Sequence, residues 1–271
     1  MAESPNNAPG MFTASNPMIK PLRVIVTAGG SGIGYAIAQV FHSNGHRVYV
    51  CDINEQAIAQ VREALPGIGA CCADVGDSAQ VKSLFEKASE TMQGLDVLVN
   101  NAGVGGPCAP LEEVSDEDWL QTINVNLNGT FYCMREAARI MKAQHSGCII
   151  NISSASATTG LPQRGAYVAS KHAVQGLTLN CARELGPSNI SCNAILPGAI
   201  DNERGHALVE KKALELDITI AAAEQRRLSY ISMRKRIDPA EIGQTALFLA
   251  TEGRNISGQL IGVCGNSEWE P

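Results

Sequence analysis

From Leu22 almost to the C-terminus, short apolar runs alternate with longer segments whose apolar residues recur at helical spacing. The runs are Leu22–Val26, Arg47–Cys51, a third ending at Asp74, then Leu95–Val99, Cys148–Ile152, Ile190–Leu196 and Leu260–Cys264. They lack the polar alternation of a strand with one wet face, which predicts strands covered on both sides. Helices are predicted between them over about Tyr35–His42, Glu55–Leu65, Ser78–Met92, Asp116–Gln144, Tyr167–Leu185 and Pro239–Ala250. Gly45 stands where the first helix needs a C-terminal cap, Pro66-Gly67 stops the second, and Ser78 is placed to cap the third. Strands alternating with helices build parallel βαβ units. The expectation is one doubly wound α/β domain over residues 21–271, with seven mostly parallel strands and helices on both faces.

Composition narrows this picture. Residues 1–20 are rich in Pro, Asn and Ser and lack the basic start and apolar core of a secretory signal, so they are expected to be disordered. An apolar share of 45% excludes wholesale disorder, and no run approaches the roughly 18 apolar residues of a membrane span. A net charge of -6 counts against a nucleic-acid partner. Nine cysteines, an odd number without Cys-x-x-Cys spacing, suit neither a disulfide framework nor a zinc site. They read as small buried hydrophobes in a reducing compartment, with a cytoplasmic location as the expectation. His42, His46, His145, His172 and His206 lack ligand-like partners at helical spacing, so no metal is expected.

The turn after the first strand reads Thr27-Ala28-Gly29-Gly30-Ser31-Gly32-Ile33-Gly34. Its bare backbone would let a pyrophosphate approach, and the N-terminus of the following helix offers unpaired N–H groups and a favourable dipole. A tight turn needing glycine only for packing is the competing reading. Asp52 ends the second strand 18 residues after Gly34, where a carboxylate can accept from adenosine ribose hydroxyls. A 2′-phosphate there would meet repulsion, and neither Ser31 nor Ile53 is basic, which favours NAD over NADP. Asp52 also has the position to cap the helix starting near Asn54.

Tyr167 and Lys171 lie four residues apart on one predicted helix face, after a strand whose carboxyl end carries Ser153-Ser154. Asn100-Asn101-Ala102-Gly103 reaches the same edge, where doubly wound sheets bind ligands. A phenol with a pKa near 10 is a poor base at neutral pH, but an adjacent ammonium stabilises phenolate. Tyr167 could then exchange a proton with a substrate oxygen while hydride moves to or from nicotinamide. Ser154 could stabilise charge on the same oxygen.

These residues together resemble the short-chain dehydrogenase/reductase family, a Rossmann-type fold, over about Leu22 to Gly265. Thr27–Gly34 fits its glycine motif, with Ala28 replacing the first glycine, a small change expected to be tolerable. Asn100–Gly103 is its Asn-Asn-Ala-Gly motif. The resemblance implies catalytic roles for Asn126, Ser154, Tyr167 and Lys171, with Asn126 ordering a proton-relay water. Ser154 has the family's spacing from Tyr167, and Ser153 does not. It further implies cofactor contacts at Thr27, Gly29, Ser31, Gly32, Ile33, Gly34, Asp52 and Ile53. Asp74 and Val75 belong with adenine. Asn101, Ala102, Gly103, Tyr167 and Lys171 come next along the dinucleotide, and Pro197, Gly198 and Ile200 flank nicotinamide.

The chain departs from the family at Asn202, where Thr is frequent, and at its tail, Cys264-Gly265-Asn266 followed by Ser267–Pro271. The implied activity is hydride transfer between NAD and a secondary alcohol or ketone, by a homo-oligomer, tetramer or dimer, that has no membrane partner. An NADPH-dependent oxoacyl-thioester reductase and a non-catalytic NAD sensor are the alternatives. Segment 200–236 is expected to be the substrate lid. Arg226, Arg227, Arg234, Lys235 and Arg236 there could suit an anionic substrate, but the intervening carboxylates favour a solvated helix face.

Overall fold

A computed structural model describes residues 20–267. The expected disorder of residues 1–20 therefore lies outside the described residues except at Lys20, and so does the tail from Glu268 to Pro271. In chain order the elements are β1 (Arg23–Thr27), α1 (Gly32–Ser43), β2 (Arg47–Asp52), α2 (Glu55–Ala64), β3 (Gly69–Cys72), α3 (Ser78–Met92) and β4 (Val97–Asn100). There follow α4 (Asp116–Ile123), α5 (Gly129–Gln144), β5 (Gly147–Ile152), α6 (Ser156–Thr159), α7 (Gly165–Leu185) and β6 (Ile190–Pro197). The last are α8 (Glu203–Leu216), α9 (Ile220–Ser229), α10 (Pro239–Ala250) and β7 (Leu260–Val263).

The sheet runs β3-β2-β1-β4-β5-β6-β7 and every adjacent pair is parallel, not merely most of them. Alternate side chains leave a strand on opposite faces, and here both faces are apolar. Val24, Val26, Val99 and Ile150 pack with Ile37 and Phe41 of α1 and Ile242 of α10. Ile25, Leu98 and Ile149 point the other way, toward Leu84 of α3 and Met134 and Met141 of α5. Each such buried side chain contributes about 1.5–3 kcal/mol of transfer free energy, which is why the strand sequences show no polar alternation.

Chain direction across the sheet reverses between β1 and β4, so a crevice opens at their carboxyl ends. Polar groups tie that edge together. Asn100 Nδ2 donates to Asn151 Oδ1 at 2.8 Å, and Asn151 Nδ2 donates to Thr178 Oγ1 of α7 at 2.9 Å, all three residues being buried. These bonds tie α7 to β4 and β5, with Asn100 Oδ1 left buried and unpartnered.

Three local expectations change. The helix expected from Tyr35 begins at Gly32, the Tyr35 N–H already donating to the Ser31 carbonyl at 3.1 Å. Asp77, not Ser78, caps α3, its carboxylate accepting from the Ala79 and Gln80 N–H groups. The segment Asp116–Gln144 is not one uniform α-helix: a π-helical turn at Asn124–Asn128 separates α4 from α5, a bulge of the kind that re-aims side chains.

Candidate active site

The carboxyl edge of the sheet borders a cavity of about 620 Å³. On one side lie Ser31, Gly32 and Ile33 at the start of α1. Opposite are Ser154, Tyr167 and Lys171, with Asn101 and Gly103 from the end of β4 and Pro197, Gly198 and Ile200 from the end of β6. Thus most of the expected residues meet at one cavity.

The rest stand behind or beside it. Thr27 Oγ1 accepts from the N–H groups of Asn101 and Ala102, each at 3.0 Å, and Asn101 Nδ2 donates to the carbonyls of Thr27 and Ala28 at 3.1 Å. This cross-tie holds the glycine turn against the β4 loop. Asp52 accepts from Gly30 N–H through Oδ2 and from Asn54 N–H through Oδ1, both at 3.0 Å, and Ile53 beside it is 69% exposed. The cap of α2 itself is Asn54, not Asp52. Asp74 accepts from Gly76 N–H, and Val75 is buried against Gly129.

The glycines divide into two kinds. A Cβ at Gly34 would collide with the Ala28 carbonyl oxygen, and one at Gly29 would sit 2.7 Å from the Val50 side chain. Those two serve packing. Gly32, with φ +54°, faces open space, Asn202 Nδ2 being the nearest atom to its missing Cβ at 3.7 Å. There the absent side chain does leave the backbone approachable. Moreover, the Ser31 side chain makes no capping hydrogen bond to α1; α5, α6 and α7 also lack side-chain caps, whereas α2, α3, α4, α8, α9 and α10 have them. Free N–H groups and a positive helix end facing a cavity fit the pyrophosphate of a dinucleotide.

Ala28 sits in the same turn with φ +48°, the left-handed region where a Cβ costs about 1–2 kcal/mol. The alanine is accommodated, but under strain.

The polar groups of the opposite wall are individually directed. Ser153 Oγ donates to the Lys171 carbonyl and accepts from Gln175, so it belongs to α7. Ser154 Oγ accepts from Ser156 N–H at 3.2 Å, which leaves its own proton to donate. Lys171 Nζ donates to the Ile152 carbonyl at 2.8 Å and has two further protons. Burial, assisted by the nearby Arg204 charge, pulls the Lys171 pKa down to about 8. Asn126 is fully buried and outside the cavity lining. Its Nδ2 donates to Val104 O and Ser170 Oγ and its Oδ1 accepts from Val104 N–H, so it clamps the loop after β4 to α7.

Asn202 caps α8 by accepting from Gly205 N–H and also lines the cavity. Two lining residues that the sequence reading did not single out are Arg164 and Arg204, and a third, Arg227, it assigned to a solvated face. Only the fold brings them together.

Comparison with known proteins agrees with this geometry. The profile of the family described as Enoyl-(Acyl carrier protein) reductase matches residues 27–265. The chain belongs to the short-chain dehydrogenase/reductase family. It is 35% identical over 261 residues to a 3beta-hydroxysteroid dehydrogenase of Mediterraneibacter gnavus, covering 89% of this chain and 93% of that one. An actinorhodin polyketide ketoreductase crystallised with NADPH superposes with a TM-score of 0.87 at 28% identity, over 90% of this chain and 96% of that one. An NAD+-bound xylitol dehydrogenase gives 0.83 at 27% identity, over 89% and 97%. Like other short-chain dehydrogenases, the protein is a hydride-transferring alcohol/ketone oxidoreductase. No described helix is long and apolar enough to cross a membrane.

Two predictions follow from the geometry. Replacing Ala28 by glycine relieves the left-handed strain at some cost in unfolded-chain entropy, so thermal unfolding should show a gain of about 0.5–1 kcal/mol. Ala28→Val should lose stability, since a β-branched residue tolerates that φ poorly. For Lys171, the native pKa of about 8 lies below the unfolded value of 10.5. Between these pH values the unfolded chain binds the extra proton, so stability rises with pH, and the penalty is complete below 8. Urea unfolding of the cofactor-free protein against Lys171→Met should show wild type gaining about 3 kcal/mol across that window; a pH-independent difference would refute the shift.

Proposed function

We propose that the enzyme prefers NAD and that Tyr167 is its general acid/base, acting on a secondary alcohol or its ketone. The observation that carries this reading is the meeting of Ser154, Tyr167 and Lys171 across one cavity from the uncapped start of α1. A bound nicotinamide dinucleotide accepts or supplies the hydride. Ser31, Gly32 and Ile33 would hold its pyrophosphate. Asp52 would take the adenosine ribose, with Ile53, Asp74 and Val75 around adenine. Tyr167 and Lys171 would hold the second ribose, and Pro197, Gly198, Ile200 and Asn202 the carboxamide.

Each side chain then has one task. Ser154 donates its free proton to the substrate oxygen and stabilises charge growing there. Tyr167 passes a proton to or from that oxygen. The ammonium of Lys171 stabilises negative charge on the phenolic oxygen and hands its own protons toward the ribose. Asn126 is a positioning residue: both amide protons are committed, and one lone pair of Oδ1 remains to order a relay water. Segment 200–236, which contains α8 and α9, is the substrate lid of a single catalytic domain.

Asp52 supports NAD, because its two carboxylate oxygens already accept from Gly30 and Asn54 and each keeps lone pairs for ribose hydroxyls. Homo-oligomer formation is supported by Trp119, Leu120, Phe131 and Leu179, which leave apolar surface exposed on α4, α5 and α7.

In a fluorescence titration NADH should bind at least about tenfold more tightly than NADPH, and Asp52→Asn should narrow the gap. Equal affinities in wild type would remove the NAD assignment. Tyr167→Phe should lower kcat by at least about 100-fold with folding intact. Unchanged turnover in that variant would remove Tyr167 from the chemistry.

A further inference from the structure

We infer that the substrate carries an oxyanion, a carboxylate or phosphate, seated by Arg164 and Arg204 with Arg227 behind them. The inference rests on the assignment of Ser154, Tyr167 and Lys171 as the reacting wall, and it names the substrate class of that site.

The charges lining the catalytic cavity are unbalanced. Arg164, Arg204, Arg227 and Lys171 face a single carboxylate, Glu203. The acidic side chains nearest in sequence are engaged elsewhere. Glu224 receives both forks of Arg236 at 2.7 Å, and Asp201 pairs with His206 at 2.8 Å. The two front arginines converge: Nη2 of Arg204 and Nη2 of Arg164 lie 2.6 and 2.8 Å from the point where a Gly105 side chain would begin. Arg164 is half-buried and Arg204 exposed, and like charges brought this close repel. Their repulsion also reaches Lys171, whose proton affinity Arg204 reduces.

Gly105 leaves space for both guanidinium groups. Any residue larger than glycine at 105 would displace both guanidinium groups. Arg164 is further held from two sides, its Nη1 3.4 Å from the Gly106 carbonyl and its guanidinium carbon 5.8 Å from the Tyr167 ring centroid. A guanidinium stacked on the proposed acid/base lies within a side chain's length of the reacting oxygen. Planar forks match the two oxygens of a carboxylate or the face of a phosphate, and an oxyanion between them would convert repulsion into two charge-assisted pairs.

There is room for the body of such a substrate. Arg164 and Arg227, with Leu161 and Leu208, also line an adjoining cavity of about 740 Å³ beneath α8 and α9. Lys211 and Lys212, which also line it, share Glu215, the latter at 3.2 Å.

The test uses a panel of oxo acids of graded length, each beside its own methyl ester, with the intact protein loaded with NADH. Binding is read by quenching of NADH fluorescence, and turnover by NADH consumption. Wild type should favour at least one acid over its ester by about tenfold or more in both readouts. That preference should shrink with salt and fall toward parity in Arg204→Gln, which changes an exposed residue, and in Arg164→Gln/Arg204→Gln. Phosphate monoesters beside the parent alcohols, with NAD+ as cofactor, distinguish phosphate from carboxylate recognition. Acids that bind with preference leave the oxyanion seat standing even where turnover of a good substrate is unchanged in Tyr167→Phe, the result that would overturn the role of Tyr167. Esters turned over as well as acids, or an acid preference that survives the double substitution, would overturn the seat and leave the role of Tyr167 standing. Binding of no anionic compound would overturn the seat as well.

Discussion

Burying a parallel sheet on both faces leaves its strands few places to display polar side chains. Along β1, β4 and β5 the inner positions are Val, Ile, Leu and Cys, and polarity begins at Thr27, Asn100, Asn151 and Ser153, where the strands end. The crossover helices must all start from that edge, which brings their positive ends to the same place. Chemistry is concentrated there because the rest of the sheet has no free surface.

This constraint explains what could be read from the chain before any coordinates. Strand positions were visible because double burial erases alternation, and Tyr167 and Lys171 were visible because helical spacing puts them together. Ser154 was told from Ser153 by the spacing that the family resemblance implies, and in the structure Ser153 is bonded to the backbone of α7. The π-helical turn was not legible, since Asn124–Asn128 contains no glycine or proline to mark a break in the helix. Neither was the division of labour among the glycines. Val50, which crowds Gly29, is far away in sequence and becomes its neighbour only through strand pairing.

The arginines illustrate the same limit from the other side. Arg227 lies among acidic residues in the sequence, and local counting suggested neutralised charge. Folding pairs Glu224 with Arg236 instead and turns Arg227 toward the cavity. Arg164 and Arg204 come from separate segments and meet only across Gly105. Net charge summed along a segment says little about net charge around a cavity, because ion pairing in three dimensions selects partners that sequence proximity does not.

The π-helical turn also makes the chain sensitive to its own residue count. Each residue of an α-helix advances the path by about 100°, and the bulge takes up one residue more than a regular turn. Losing a single residue between Asn124 and Asn128 would restore regular winding and leave the two flanking halves in register, but it would remove the bulge that aims the side chains of this turn. Asn126 would swing away from Val104 and Ser170, while Met134 and Met141 would keep their places in the core. Here the spacing is as much a part of the site as the side chains, and a deletion would be felt where many substitutions would pass.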